Sequence, residues 1–468
     1  MHPSSRIPSP LTPVVRRAFT AACAALALAC ASAPTAAQAA QPPASFYPTW
    51  TPAMDSAAAG LRVVLVTMGP GDEVWEKFGH NALWVHDPRT GEEIAYNYGM
   101  FDFRQANFYS NFARGHMRYW MQGFDALATL DFYGRQNRSV WLQELNLTPR
   151  QKAEIKAFLE WNARDDNRYY RYDYYRDNCS TRVRDAIDRV IGGGIRRQFS
   201  RVPVPVTFRS ETERLTADDV VTYTGLMIGL AEPADVPISA WDEMFLPMRL
   251  RDHVRETKVP DAQGRMVPLV RSERVAVAAA GREPERSAPP NRIPAYLVAG
   301  LLLAALVAGL GWAAPRRGGA RIGYAIVTGL WTLLTGVGGV VLASLWLFTD
   351  HAIAYRNENL FQFDPISLPL VLLLPALVQG KRWSLRPAPR IALVVAALSV
   401  LGFVVQVLPG VDQVNGIVIA LALPVNLALA WTAAHLARAH AAAPAVADAS
   451  MGDADGGTRG ARAARVVD

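Results

Sequence analysis

Asp177-Asn178-Cys179-Ser180-Thr181-Arg182-Val183, continuing to Ile191, is the stretch on which the reading of this chain turns. Asp177 or Asn178 is a natural N-cap, because a short polar side chain accepts from the free amides of a first helical turn. Gly192-Gly193-Gly194 supplies the stop. Within these bounds Cys179, Val183, Ile187 and Val190 share one helical face, so the cysteine opens the side that packs inward. Two readings are open. Cys179 is a small core residue, as most buried cysteines are; or the helix N-terminus, with Arg176 and Arg182 close by, stabilises a thiolate and lowers the thiol pKa.

A nucleophile needs a base, and a third group to orient that base. Upstream, Phe78 to Gly99 (FGHNALWVHDPRTGEEIAYNYG) places turn chemistry, Asp87-Pro88-Arg89-Thr90-Gly91, between two apolar and aromatic runs. That pattern is a β-hairpin, with His80, Ala82, Trp84 and His86 on one face of its first strand. A loop with an even number of residues pairs Ala82 with Asn97 and leaves Asn97 diagonal to His80. An odd loop moves that role to Tyr96 or Tyr98. The candidate catalytic set is therefore Cys179, His80 and, on the even register, Asn97. His80 and His86 stand about 20 Å apart along an extended strand and cannot share an ion. No zinc-type Cys/His spacing occurs elsewhere, and the reading is of an enzyme with no metal and no cofactor.

Other segments carry plainer signals. Leu61 to Thr67 (LRVVLVT) is a buried strand; the Gly69-Pro70-Gly71-Asp72 after it lacks the Gly-Lys-Ser/Thr of a phosphate loop and reads as a turn. Thr148, Pro149 and Gln151 form the cap of a helix running to about Ala163, with Ile155, Phe158 and Leu159 as its apolar stripe. Arg168 to Asn178 (RYYRYDYYRDN) is either an edge strand with a solvated face or a surface that meets lipid headgroups.

The chain has 468 residues, 51% apolar and 19% charged, with 48 Lys+Arg against 41 Asp+Glu for a formal charge of +7. This is too apolar for disorder, and the apolar residues are unevenly spread. Arg6, Arg16 and Arg17 precede an Ala/Leu-rich run and an Ala37-Gln38-Ala39 cleavage site, so residues 1–39 read as a signal peptide. Its removal takes Cys23 and Cys30 and leaves Cys179 alone in an oxidising compartment. Residues 40–280 then form an exported domain with an extension, and 281–294 a linker. Residues 295–440 are a helical membrane domain of about five spans, near 295–314, 322–348, 366–380, 391–408 and 414–436. Residues 441–468 read as a disordered cytoplasmic tail. Arg316, Arg317 and Arg321, and Lys381, Arg382, Arg386 and Arg390, lie in alternate loops, which the positive-inside rule makes cytoplasmic. Residues 41–294 then lie outside, in agreement with the signal peptide. Export argues against a nucleic-acid partner.

At these residues the sequence resembles the Lnb-type lipoprotein intramolecular transacylases. The resemblance runs through MGPGDEVWEKFGHNALWV (68–85), YNYGMFDFRQANFYSNFARG (96–115), QELNLTP (143–149), RYYRYDYYRDNCSTRVRDAI (168–187), DEMFLP (242–247) and TDHAIAYRNENLFQFDP (349–365). It implies an α+β, circularly permuted papain-like domain related to the NlpC type, in which the histidine precedes the cysteine. It also implies a bacterial inner-membrane enzyme that moves an ester-linked acyl chain of a diacylated lipoprotein to that protein's N-terminal amine. Cys179 would be the nucleophile and His80 the base. Arg176, Asn178 and Arg182 beside the cysteine, and His351, Asn357 and Asn359 in the loop 349–364, are the candidate substrate contacts. A cysteine hydrolase of lipid esters or peptidoglycan peptides is the alternative.

Overall fold

The computed structural model describes residues 42, 50–261 and 263–454; the signal-peptide segment lies outside them. The strands of the first half are β1 (Arg62–Met68), β2 (His80–Asp87), β3 (Glu92–Met100), β4 (Arg118–Asp125), β5 (Val140–Leu145), β6 (Tyr169–Arg171), β7 (Lys258–Pro260), β8 (Met266–Pro268) and β9 (Val270–Val277). Seven of them form one antiparallel sheet in the order β6-β4-β3-β2-β1-β5-β9, while β7 and β8 pair separately. The strand carrying His80 is thus the central one. The loop between β2 and β3 has the even length, since Asp87 pairs with Glu92 and Ala82 with Asn97. Asp87 fixes the turn by accepting from the Arg89 amide at 3.1 Å, and Gly91 takes the positive φ of 74° that the turn needs.

Alternation along the strands gives the sheet two apolar faces. Val63 and Leu65 of β1, with Leu83 and Val85 of β2, pack under the helices Pro149–Asn162 and Cys179–Val190. Val64, Val66 and Ala82 face the other way, where Tyr133 of the helix Ala126–Arg135 covers them. Thr148 and Gln151 make the reciprocal capping box, and Ile155, Phe158 and Leu159 are buried. Tyr169–Arg171 is the sheet's edge strand, the plainer of the two roles open to the Arg/Tyr run.

Four helices of the second half are long and apolar enough to cross a membrane: Ile293–Ala313, Gly318–Phe348, Arg382–Val407 and Gly416–Ala441. The third apolar segment is a bent pair, Glu358–Ser367 and Leu370–Val378, angled by 58°. It lies against Gly336 and Gly339 of Gly318–Phe348, where a Cβ would collide with Leu368, Phe363 and Asp364. Small residues at a helix crossing allow this closeness in lipid.

Contacts with the exported domain decide whether the bent pair crosses. Asp350 donates its amide to Arg114 O at 2.9 Å, and Val414 donates its amide to Asp235 Oδ2 at 3.1 Å. The loops holding Asp350 and Val414 are therefore on one side of the membrane. With Arg382–Val407 as one candidate span between them, the bent pair counts as a fifth candidate span. The last helix runs from Gly416 to Ala454.

Candidate active site

The helix opened by Cys179 is capped as its sequence requires. Asn178 Oδ1 accepts from the amides of Ser180 and Thr181 at 2.8 and 2.9 Å, and Thr181 Oγ1 returns the bond to the Asn178 amide. The stop follows at Gly192 and Gly193, both with positive φ. Val183 and Ile187 are fully buried against the sheet, which fixes the height at which Cys179 stands.

His80 is the first residue of β2 and lies on the opposite face of the sheet from that helix, its ring stacked near Tyr133 at 6.4 Å. The two nevertheless come to the same end of the sheet. The backbone of Asn81, the residue after His80, acts with the amides of Ser180 and Cys179 itself to lower the Cys179 pKa. Gly99 makes this approach possible. It sits at φ 84°, and a Cβ there would stand 3.4 Å from both Cys179 Cβ and Tyr172 Cε2.

Asn97 completes the group. Its Nδ2 donates to the Ala95 carbonyl at 2.9 Å, which turns Oδ1 toward His80 Nε2, 3.0 Å away. A carbonyl only accepts, so the amide orientation is set, and Nε2 must carry the ring proton. The lone pair of a neutral His80 is then on Nδ1. Burial pushes the His80 pKa down to about 4, against the Asn97 bond, which raises it.

Burial dominates the electrostatics of the thiol. Burial pushes Cys179 up to about 11, and the three amides and the Arg138 charge only partly offset this. Burial thus favours the neutral form of both Cys179 and His80. The arginines named from sequence do not help. Arg182 makes a bidentate pair with Asp177 at 2.5 and 2.7 Å and lies 3.8 Å over the Tyr170 ring, while Arg176 is exposed.

Several expected substrate contacts already have partners within the protein. Asn178 is the helix cap, and its Nδ2 donates to Tyr174 O and Phe245 O. Arg182 is locked by Asp177. Asn357 and Asn359 are buried and donate to the carbonyls of Met227, Ile228 and Gly229, tying their loop to the exported domain. Buried amides need such partners; the NH2 groups of both find them within the protein, while Asn359 Oδ1 has none among the described residues. Arg176 and His351 differ. They line a cavity of about 30 Å³ with Arg171, Tyr172 and Asp350, and His351 Nε2 lies 2.8 Å from Phe112 O.

Arg138 and Tyr133 were missed, since neither belongs to a motif. Arg138 is buried, donates to Gly69 O at 2.9 Å and pairs with Glu76 at 3.3 Å, with its guanidinium 4.8 Å from the Tyr133 ring centroid. Its Nη2 has no hydrogen-bond partner among the described residues. Its charge depresses both His80 and Cys179.

Fold and site together define a multi-pass membrane protein whose periplasmic α+β domain holds a cysteine, a histidine and an asparagine at one sheet end. The model of the Lnb N-terminal periplasmic domain matches residues 46–214, and that of the Lnb transmembrane domain matches residues 293–434. No match was found among curated proteins or among solved structures. The chain belongs to the Lnb family, and is a lipoprotein-modifying enzyme of the inner membrane with its N-terminal domain in the periplasm.

Proposed function

We propose that the protein is a thiol-dependent acyltransferase that moves an ester-linked acyl chain of a diacylated lipoprotein to the lipoprotein's own α-amine. One observation carries this reading: an imidazole with its proton held at Nε2 by Asn97 precedes in the chain the residue whose backbone favours a Cys179 thiolate. The helix order, with the histidine strand preceding the cysteine helix, agrees with a permuted papain-like site.

In the first half-reaction Cys179 Sγ attacks the ester carbonyl and passes its proton to His80 Nδ1. The amides that favour the thiolate are suited to hold the carbonyl oxygen as it gains charge. The carbon–oxygen bond breaks, the glyceryl oxygen takes the proton from His80, and the acyl group rests on Cys179 as a thioester. In the second half the α-amine attacks the thioester carbonyl and gives a proton to His80. The thiolate leaves and recovers that proton. An ester becomes an amide, a hydroxyl is freed, and no water or cofactor is consumed.

The test is incubation of the full-length protein in detergent with a diacylated lipopeptide. The reading expects a product of unchanged mass with a blocked α-amine. Release of one chain as free fatty acid would make the protein a lipid hydrolase instead.

A further inference from the structure

The exported domain exposes aromatic rings at its surface that continue into rings of its core. Trp75 is 54% exposed, Phe103 47% and Phe112 44%. Large apolar side chains grouped on a surface mark a binding face. These are joined edge to face, with Trp75 and Phe103 centred 5.8 Å apart and Phe103 and Phe101 5.2 Å apart.

The rings continue inward. Phe101 stacks on Tyr119 at 5.1 Å, and Tyr119 lies 4.5 Å from Tyr172, the ring against the Gly99 window beside Cys179. A face that served only to rest on a surface would not need this path into the site. At its outer end the face meets the membrane domain. Phe112 packs on His351 at 6.3 Å, three residues beyond Phe348, the 78% exposed end of the second membrane helix. Phe112 thus lies beside the outer end of the second membrane helix, and Tyr172 shares the Gly99 window with Cys179.

We propose that this row, from Trp75 and Phe103 through Phe101 and Tyr119 to Tyr172, is the binding site for the acyl chain of the substrate whose ester is presented to Cys179. The assignment rests on the acyl-transfer reading. Rings in offset and edge contacts present a continuous apolar wall to a hydrocarbon chain, and the chain stays out of water on its way from the bilayer.

The test uses the full-length Cys179→Ala protein in detergent micelles, so that turnover plays no part. The probe is a diacylated lipopeptide with a photoactivatable diazirine on one acyl chain. The expected result is cross-linking to peptides containing Trp75, Phe101 or Phe103, reduced several-fold in the Trp75→Ser/Phe103→Ser double variant. Cross-links confined to the membrane helices would overturn the assignment. So would equal labelling by a phospholipid bearing the same diazirine, since the face would then be immersed in lipid without selecting the substrate. With Cys179 intact, the double variant should lower the kcat/KM ratio of long-chain over short-chain esters by about tenfold. Cross-linking without any transfer by the active protein would refute the reaction and leave the acyl site standing.

Discussion

His80 Nε2 and Asn97 Oδ1 lie 3.0 Å apart, and the bond from Asn97 Nδ2 to the Ala95 carbonyl leaves the amide no other orientation. Asn97→Ala removes the acceptor that selects the Nε2–H tautomer. Transfer should fall on the order of tenfold to a hundredfold, a share of the general-base contribution. Kinetics beside a thermal melt check this. A loss of stability matching the loss of rate would make Asn97 a packing residue only.

The raised thiol pKa and the lowered imidazole pKa predict a particular pH dependence. With Cys179 at about 11, its alkylation by iodoacetamide should still be climbing at pH 9. With His80 at about 4, the base stays neutral well below pH 6.5, so the acid limb of transfer should fall near that lower value. The sign follows from depression of a basic group: protonation, and with it loss of activity, is displaced to lower pH. A plateau of alkylation below pH 7 would instead indicate a resting thiolate–imidazolium pair.

Gly99→Ala tests the window between strand and cysteine. At φ 84° an L-residue is strained by about 1–2 kcal/mol, and the new methyl would touch Cys179 and Tyr172. The variant should melt a few degrees lower and transfer more slowly than its stability alone explains. Rates and melting temperatures together separate the two effects.

Arg182→Ala distinguishes scaffold from substrate contact. Breaking its pair leaves the Asp177 carboxylate largely buried and unpaired, a cost of about 3–5 kcal/mol where the pair is fully enclosed. Asp177 keeps some exposure, so the lower end is expected. The signature is a lower denaturation midpoint with KM unchanged; a raised KM at unchanged stability would return Arg182 to the substrate site.

Much of this arrangement was legible in the sequence because it depends on local rules. Thr148 with Gln151, and Asn178 with the glycines at 192–194, are caps and stops that act within a few residues. The hairpin was legible too, but its register was not: Asn97 stood open beside Tyr96 and Tyr98 until the folded loop after Asp87 set the even pairing. What was not legible is set by distant partners. Nothing near Arg182 or Asn357 in sequence says whether a polar side chain meets a ligand or a carbonyl of another segment. Arg182 met its near neighbour Asp177, whereas Asn357 met Ile228 and Gly229. Likewise the helix N-terminus argues for a low thiol pKa, but burial, which only the folded chain defines, outweighs it. Arg138 and Tyr133 reach the site by packing alone.

The central claim is that the acyl group passes through Cys179. A diacylated lipopeptide with an acetylated α-amine supplies the donor ester and removes the acceptor, so the intermediate should accumulate. Mass analysis of the digested enzyme is predicted to find an acyl chain on the Cys179 peptide, removed by hydroxylamine at neutral pH and absent from Cys179→Ala. Acylation of another residue, or full transfer by the Cys179→Ala enzyme to a free-amine substrate, would contradict the account.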